Sequence, residues 1–213
     1  MDPKMRQRMQ RLLESTGETA QATPRLSDDA ARLWARVQRF SAMKLASIAD
    51  ETEAVELACY ALQFPMRKRK LLPTGKLGRT SVKDRAEQAA ELLVSQLGDE
   101  IDEELLDHTT RLLQELPHKS PVLDAAKVLA DAVNLEDFGV AGLMNLALQL
   151  GRQGDGVLQL SLACEKREQY GYWDARLRDG FHFDAVRIIA RKRLDRARQA
   201  IKLLSDELAE DQP

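Results

Sequence analysis

The chain has 213 residues, with 32 Lys and Arg against 34 Asp and Glu, for a formal net charge of −2. That balance supplies no global field for nucleic acid or an anionic membrane. A hydrophobic content of 44% with 31% charged residues excludes the disordered and fibrous classes and leaves an ordinary globular composition. No apolar run approaches the roughly 20 residues of a membrane span. The N-terminal "MDPKMRQRMQRLLESTGE" has no apolar stretch or small-residue cleavage site of a secretory signal. Cys59 and Cys164 each sit in an apolar helical pattern and read as buried thiols in a reducing compartment. A soluble, cytoplasmic protein is the expectation.

Helical periodicity dominates, and strand alternation is absent. Residues 2–15 read as a short amphipathic helix with Met5, Met9, Leu12 and Leu13 on one side, followed by the linker "STGETAQATP". Ser27 is placed to cap a helix through about 49, with Leu33, Val37, Phe40 and Leu45 among its apolar positions. Asp50 starts the next, whose body "AVELACYALQF" is apolar nearly all round, as a central buried helix would be, and Pro65 ends it. Ser81 and Asp84 make a capping box for a helix to about 97. Another spans about 101–116 and stops before Pro117. Ser120–Pro121 then opens a helix through about 133. Helices at Gly139–Gly151 and Val157–Tyr170 follow, then "GYWDARLRDG" as a turn-rich connector. The closing helix runs from Asp184 to about Glu207, with Val186, Ile189, Leu194, Ala197, Ile201 and Leu204 inward and Arg and Lys outward. The fold class read from this pattern is all-α. A loosely attached N-terminal helix and linker (1–26) precede one helical domain (27–213).

Several residues invite a chemical reading. Asp131 lies on an otherwise apolar helical run just before the loop carrying Glu136 and Asp137, where a buried carboxylate needs a metal, a basic side chain or a backbone amide to meet it. The expected partner is an amide or an arginine, such as one of the closing helix. His118, between Pro117 and Lys119, reads as a solvated loop residue. His108 reads as an exposed helix residue, and His182 as a packed imidazole at a helix start.

From Arg67 to Arg85 there are eight Lys or Arg residues and one acid, Asp84. This run ends at a helix N-terminus, where free amides favour an anion. Lys76, Arg79 and Ser81 are the candidate donors to it. "TGKLGRTS" is not a Walker A loop, because its spacing differs and no strand precedes it. The Arg-rich closing helix is interrupted by acids and carries no interleaved aromatics, so nucleic-acid binding is not expected. No nucleophile–base motif or H-E-x-x-H zinc motif is present.

The order of "ARVQRF", "ELACYALQF", "LPTGKLGRTSVKDRAEQAAELL", "LLQELPHKS", "VLADAVNLEDFGVAGL" and "VRIIARKRLDRARQAIKLLSDEL" resembles that of the HD-domain phosphohydrolases, in particular their small bacterial stand-alone members. The resemblance covers nearly everything after residue 26 and implies a single HD-like helical domain. In that family a first-helix His, a His–Asp doublet and a later Asp hold a divalent metal that activates water against phosphate. Here the doublet position reads Leu62 and Gln63, and the first-helix position falls on Leu33 or Trp34. The second acid of the later segment has become Val133. Only Asp131 remains, and one carboxylate cannot hold a catalytic metal.

The resemblance therefore implies a degenerate domain with no catalytic residues and no cofactor. It would bind a phosphorylated small molecule or a protein partner through the old pocket, with Lys76, Arg79, Ser81, His118 and Asp131 as contacts. The competing expectation is a phosphohydrolase using a divalent metal on the unconventional ligands Asp131, His118 and His108.

Overall fold

The computed structural model describes residues 1–14, 26–67, 82–151 and 153–210. Every regular element among them is helical, so the all-α class holds. None of these helices is long and apolar enough to cross a membrane. The chain divides into two compact units at Ala132/Val133, a division that the helical periodicity does not mark.

In the first unit, α1 (Pro3–Glu14) is docked, not loosely attached. It buries Met9 and Leu13, and the Arg6 guanidinium grips the buried Glu56 carboxylate through Nε at 2.7 Å and Nη2 at 3.1 Å. Helix α2 (Leu26–Ala42) is shorter than its apolar spacing predicts. Lys44 adopts a left-handed φ of 55°, and the Lys44 and Leu45 amides donate back to Ser41 O at 2.8 Å and Phe40 O at 3.5 Å. This is a Schellman ending made without the glycine that would announce it. Ser27 lies inside the first turn and donates its hydroxyl to Glu14 rather than capping the helix.

Helix α3 (Thr52–Ala61) is buried at every position from Ala54 onward, as its all-round apolarity predicts. Pro65 does not end it. Proline falls instead in the first turn of a separate short helix, α4 (Phe64–Arg67), where its missing N–H costs nothing. Helix α5 (Val82–Leu97) buries Ala86, Ala89, Ala90, Leu93 and Leu97, and α6 (Glu103–Glu115) is capped by the Asp102 carboxylate. Helix α6 packs on α3 and α5.

Helix α7 (Asp124–Asn134) begins beyond the Ser120–Pro121 signal. The Val122 and Leu123 amides just before it donate to Glu115 Oε2 at 2.7 and 2.8 Å, so its cap comes from the preceding helix. Burial pushes the Glu115 carboxyl up, but those two amides and Arg111 more than reverse this, leaving it below the ordinary range.

In the second unit, α8 (Gly139–Gly151), α9 (Val157–Gln169) and α11 (Asp184–Glu210) share a core of Leu143, Leu146, Leu160 and Cys164, with Ala200, Ile201 and Leu204 against it. The segment expected as a turn-rich connector contains a helix, α10 (Tyr172–Asp179). Its two flanking glycines read as breakers, but they bracket an element that buries Trp173 and Leu177, four residues apart. Phe138 meets Trp173 and Phe181 with ring centroids 5.3 Å away in each case.

Candidate functional site

The positions that the resemblance aligns with the metal doublet, Leu62 and Gln63, follow α3 directly and are both buried. What meets them is a guanidinium. Arg85, in the first turn of α5, donates Nε to Leu62 O at 2.8 Å and Nη2 to Gln63 Oε1 at 3.1 Å. The carbonyl at a helix C-terminus carries partial negative charge, so a cation there is electrostatically favoured.

Because arginine can only donate, this contact fixes the Gln63 amide with its oxygen toward Arg85 and its nitrogen away. Gln63 is 2% exposed, and its Nε2 has no acceptor. A buried amide donor without an acceptor costs about 1–3 kcal/mol relative to a satisfied one. The site is thus one acceptor short of balance, and an oxyanion is a chemical complement of the unmet donor.

Asp131 is completely buried on α7 and is not without a partner. The next carbonyl, Ala132 O, accepts from Arg36 Nη1 of α2 at 2.6 Å. Helix α2 therefore supplies an arginine to the acid-bearing helix α7. Leu33, also on α2, is a core residue.

The remaining sequence candidates are dispersed. His118 is exposed just beyond α6. His108 sits on α6 with Nε2 3.9 Å from Glu51 Oε2, beside an open groove of about 620 Å³ lined by Asp102, Glu103, Glu104, Asp107 and Arg111. Among the described residues, no three His, Cys, Asp or Glu side chains converge as metal ligands, so Asp131, His118 and His108 do not form one coordination shell. This donor set does not fit a catalytic metal, which takes about three protein ligands. Lys76, Arg79 and Ser81 lie outside the described residues.

In the second unit Asp137, in the loop after α7, serves architecture. Arg176 Nη2 donates to Asn134 Oδ1 and Asp137 Oδ2, each at 3.0 Å, and Asn134 Nδ2 donates to Gly180 O at 2.6 Å. The 3-10 turn Leu135–Asp137 is thereby tied to α10. Gly142 lets α8 lie against that turn. A Cβ there would stand 2.3 Å from Asp137 O.

The contact between Arg85 and Gln63 was not foreseen from the sequence, where Gln63 stands only as a replaced doublet position and Arg85 only as the end of the basic run. The signal was nevertheless present. Arg85 shares a helical stripe with the buried Ala89, and Gln63 with Glu56 are the only amide or charged side chains between Ala54 and Phe64.

The chain matches no protein-family model, and comparison with curated proteins and with solved structures likewise gives no match.

Proposed function

We propose that the chain is a degenerate HD-like domain, non-catalytic, that binds a phosphorylated small molecule where the family holds its metal. The observation that carries this reading is the buried Gln63 Nε2, a donor with no acceptor, on an amide whose oxygen is held by Arg85. A phosphate oxygen satisfies that donor, whereas a metal cation would be repelled by it and by the guanidinium. The basic run from Arg67 to Arg85 supplies further positive charge in the adjoining sequence, with Lys76 and Arg79 as the expected phosphate contacts.

A thermal-shift screen of orthophosphate, sugar phosphates and nucleotides tests this on the full chain. At least one of these anions should stabilise the wild-type protein, with a shift that shrinks as salt is raised from low to physiological strength. Gln63→Leu keeps the volume while removing the donor and should abolish the shift, as should Lys76→Ala combined with Arg79→Ala. Stabilisation by no anion, or equal stabilisation of all three proteins, sinks the proposal. Metal analysis of untagged protein addresses the competing enzyme. About one equivalent of divalent metal per chain, with phosphatase activity lost in Asp131→Ala, would establish a hydrolase instead.

A further inference from the structure

Helix α1 is basic, and it meets the rest of the first unit through that charge. It carries Lys4, Arg6, Arg8 and Arg11 against one acid, Glu14. It packs on α2 with Met9 and Leu13 buried, and its arginines reach α3 and the 3-10 turn Gly98–Glu100. On α3, Glu53, Glu56 and Tyr60 stand at i, i+3 and i+7, one stripe of the helix. Each is met from the N-terminal segment. Glu53 accepts from Asp2 N at 3.2 Å, Glu56 from Arg6 and from the Met1 nitrogen at 3.2 Å, and Gln10 hydrogen-bonds the Tyr60 hydroxyl. A second fork joins Arg8 to Glu100, with Nε at 3.1 Å and Nη2 at 2.9 Å.

Two properties of this contact point beyond simple packing. Glu56 is 2% exposed on the central buried helix, and a carboxylate buried there is tolerated only while positive charge faces it. Among the described residues, the groups that face it all come from residues 1–6. Helix α1 in turn has little stability by itself. Its 12 residues are at the length, about 12–15, where an isolated helix is marginal. Its opening residues include Lys4 and Arg6 and no acid, the wrong sign for the helix dipole. The Arg8–Glu100 fork is 46% and 43% exposed on its two sides, so salt screens it.

We propose that α1 is a detachable strap, and that the surface it covers, anchored by the Glu56 carboxylate, is a receptor for a basic amphipathic helix. Helix α1 is the occupant in cis. The external partner shares its chemistry: an arginine aimed at Glu56, with apolar side chains three and seven residues later, as Arg6, Met9 and Leu13 are spaced. A second arginine two residues after the first meets Glu100, as Arg8 does. An acidic or uncharged helix is rejected, because it leaves Glu56 buried without a cation. Since the partner has to replace α1, its apparent affinity is lowered by the fraction of chains in which the strap is closed.

Two measurements on the full chain test this. Native-state hydrogen exchange needs no substitution: the α1 amides should exchange as a group, faster than those of α3. Their protection should fall about fivefold or more as sodium chloride is raised from about 0.02 to 0.5 M, while that of α3 holds. The second measurement opens the strap by charge reversal. A fluorescein-labelled peptide with the sequence of residues 2–14 is titrated into the wild-type chain and into Arg6→Glu combined with Arg8→Glu, whose own α1 is repelled by Glu56 and Glu100. The double variant should bind this peptide at least about tenfold more tightly than the wild type does, and less tightly as salt rises. A peptide with both arginines replaced by glutamate should bind neither protein. Helix α1 amides that exchange only together with those of α3 at every salt concentration overturn the inference. So does a folded double variant that binds the basic peptide no better than the wild type, or binds the acidic peptide equally well.

Discussion

Gly142→Ala isolates one close approach on which the second unit is built. An alanine Cβ at this position would lie 2.3 Å from Asp137 O, 2.4 Å from Asp137 C and 3.0 Å from Glu136 O. These are backbone atoms, so no rotamer change relieves the clash. Restoring ordinary contact requires α8 and the 3-10 turn to separate by about 1 Å, given carbon contacts of about 3.5 Å or more. That shift loosens the packing of Leu143 and strains the two 3.0 Å bonds by which Arg176 holds Asn134 and Asp137. Overpacking of this kind costs about 1–3 kcal/mol and occasionally more. Loss of a charge-assisted bond adds about 1.5–3 kcal/mol, while the better helix propensity of alanine returns about 1 kcal/mol.

The net expectation is destabilisation by about 2–4 kcal/mol, or a melting temperature lowered by about 5–15 °C in a chain of this size. Gly151→Ala is the matched control. A Cβ there meets nothing within 4 Å, so only the propensity gain applies, and its melting temperature should equal or slightly exceed that of the wild type. Far-UV circular dichroism melts of the three proteins decide the matter. If Gly142→Ala melts within about 2 °C of the wild type, or above it, the close approach is not a constraint and the reasoning fails.

Leu62→Ala should cost about 2–5 kcal/mol, the range for a fully buried leucine, read as a shift in the denaturant midpoint. Cys59, fully buried on α3, should react with a thiol reagent only on unfolding, and fast labelling of the native protein would mean that α3 is misplaced. Glu115 is held below its ordinary pKa of 4.5, so its contribution is complete above that pH and is lost as the pH falls through the lower folded value. Glu115→Gln should therefore cost about 1–2 kcal/mol at pH 7, and the gap from wild type should close below about pH 4.5; a gap constant from pH 7 to 3 would refute it.

The sequence by itself determined the helical class, the boundaries of α8, the start of α9 and its end to within one residue, and the burial of α3. Each follows from local information: a 3.6-residue period, glycines at both ends of α8, and a segment with no polar face to give to water. Where the sequence misled, the deciding contact came from elsewhere in the chain or from a residue with no strong signature. Helix α7 is capped by Glu115 of the preceding helix rather than by Ser120, and α2 ends on Lys44 in a conformation that its side chain does not announce. Helix α10 lay hidden between two glycines because two buried positions, Trp173 and Leu177, are too few to show a period.

The candidate site divides in the same way. That Asp131 would be buried was readable from its apolar neighbours, and the structure buries it completely. That a guanidinium would meet Leu62 and Gln63 was not, because Arg85 stands 22 residues from Gln63 and reads as one more charge in a basic run. Sequence period reports which face of a helix avoids water. Which donor meets which buried acceptor is decided only when separate helices pack, since that pairing depends on distances that no spacing along the chain encodes.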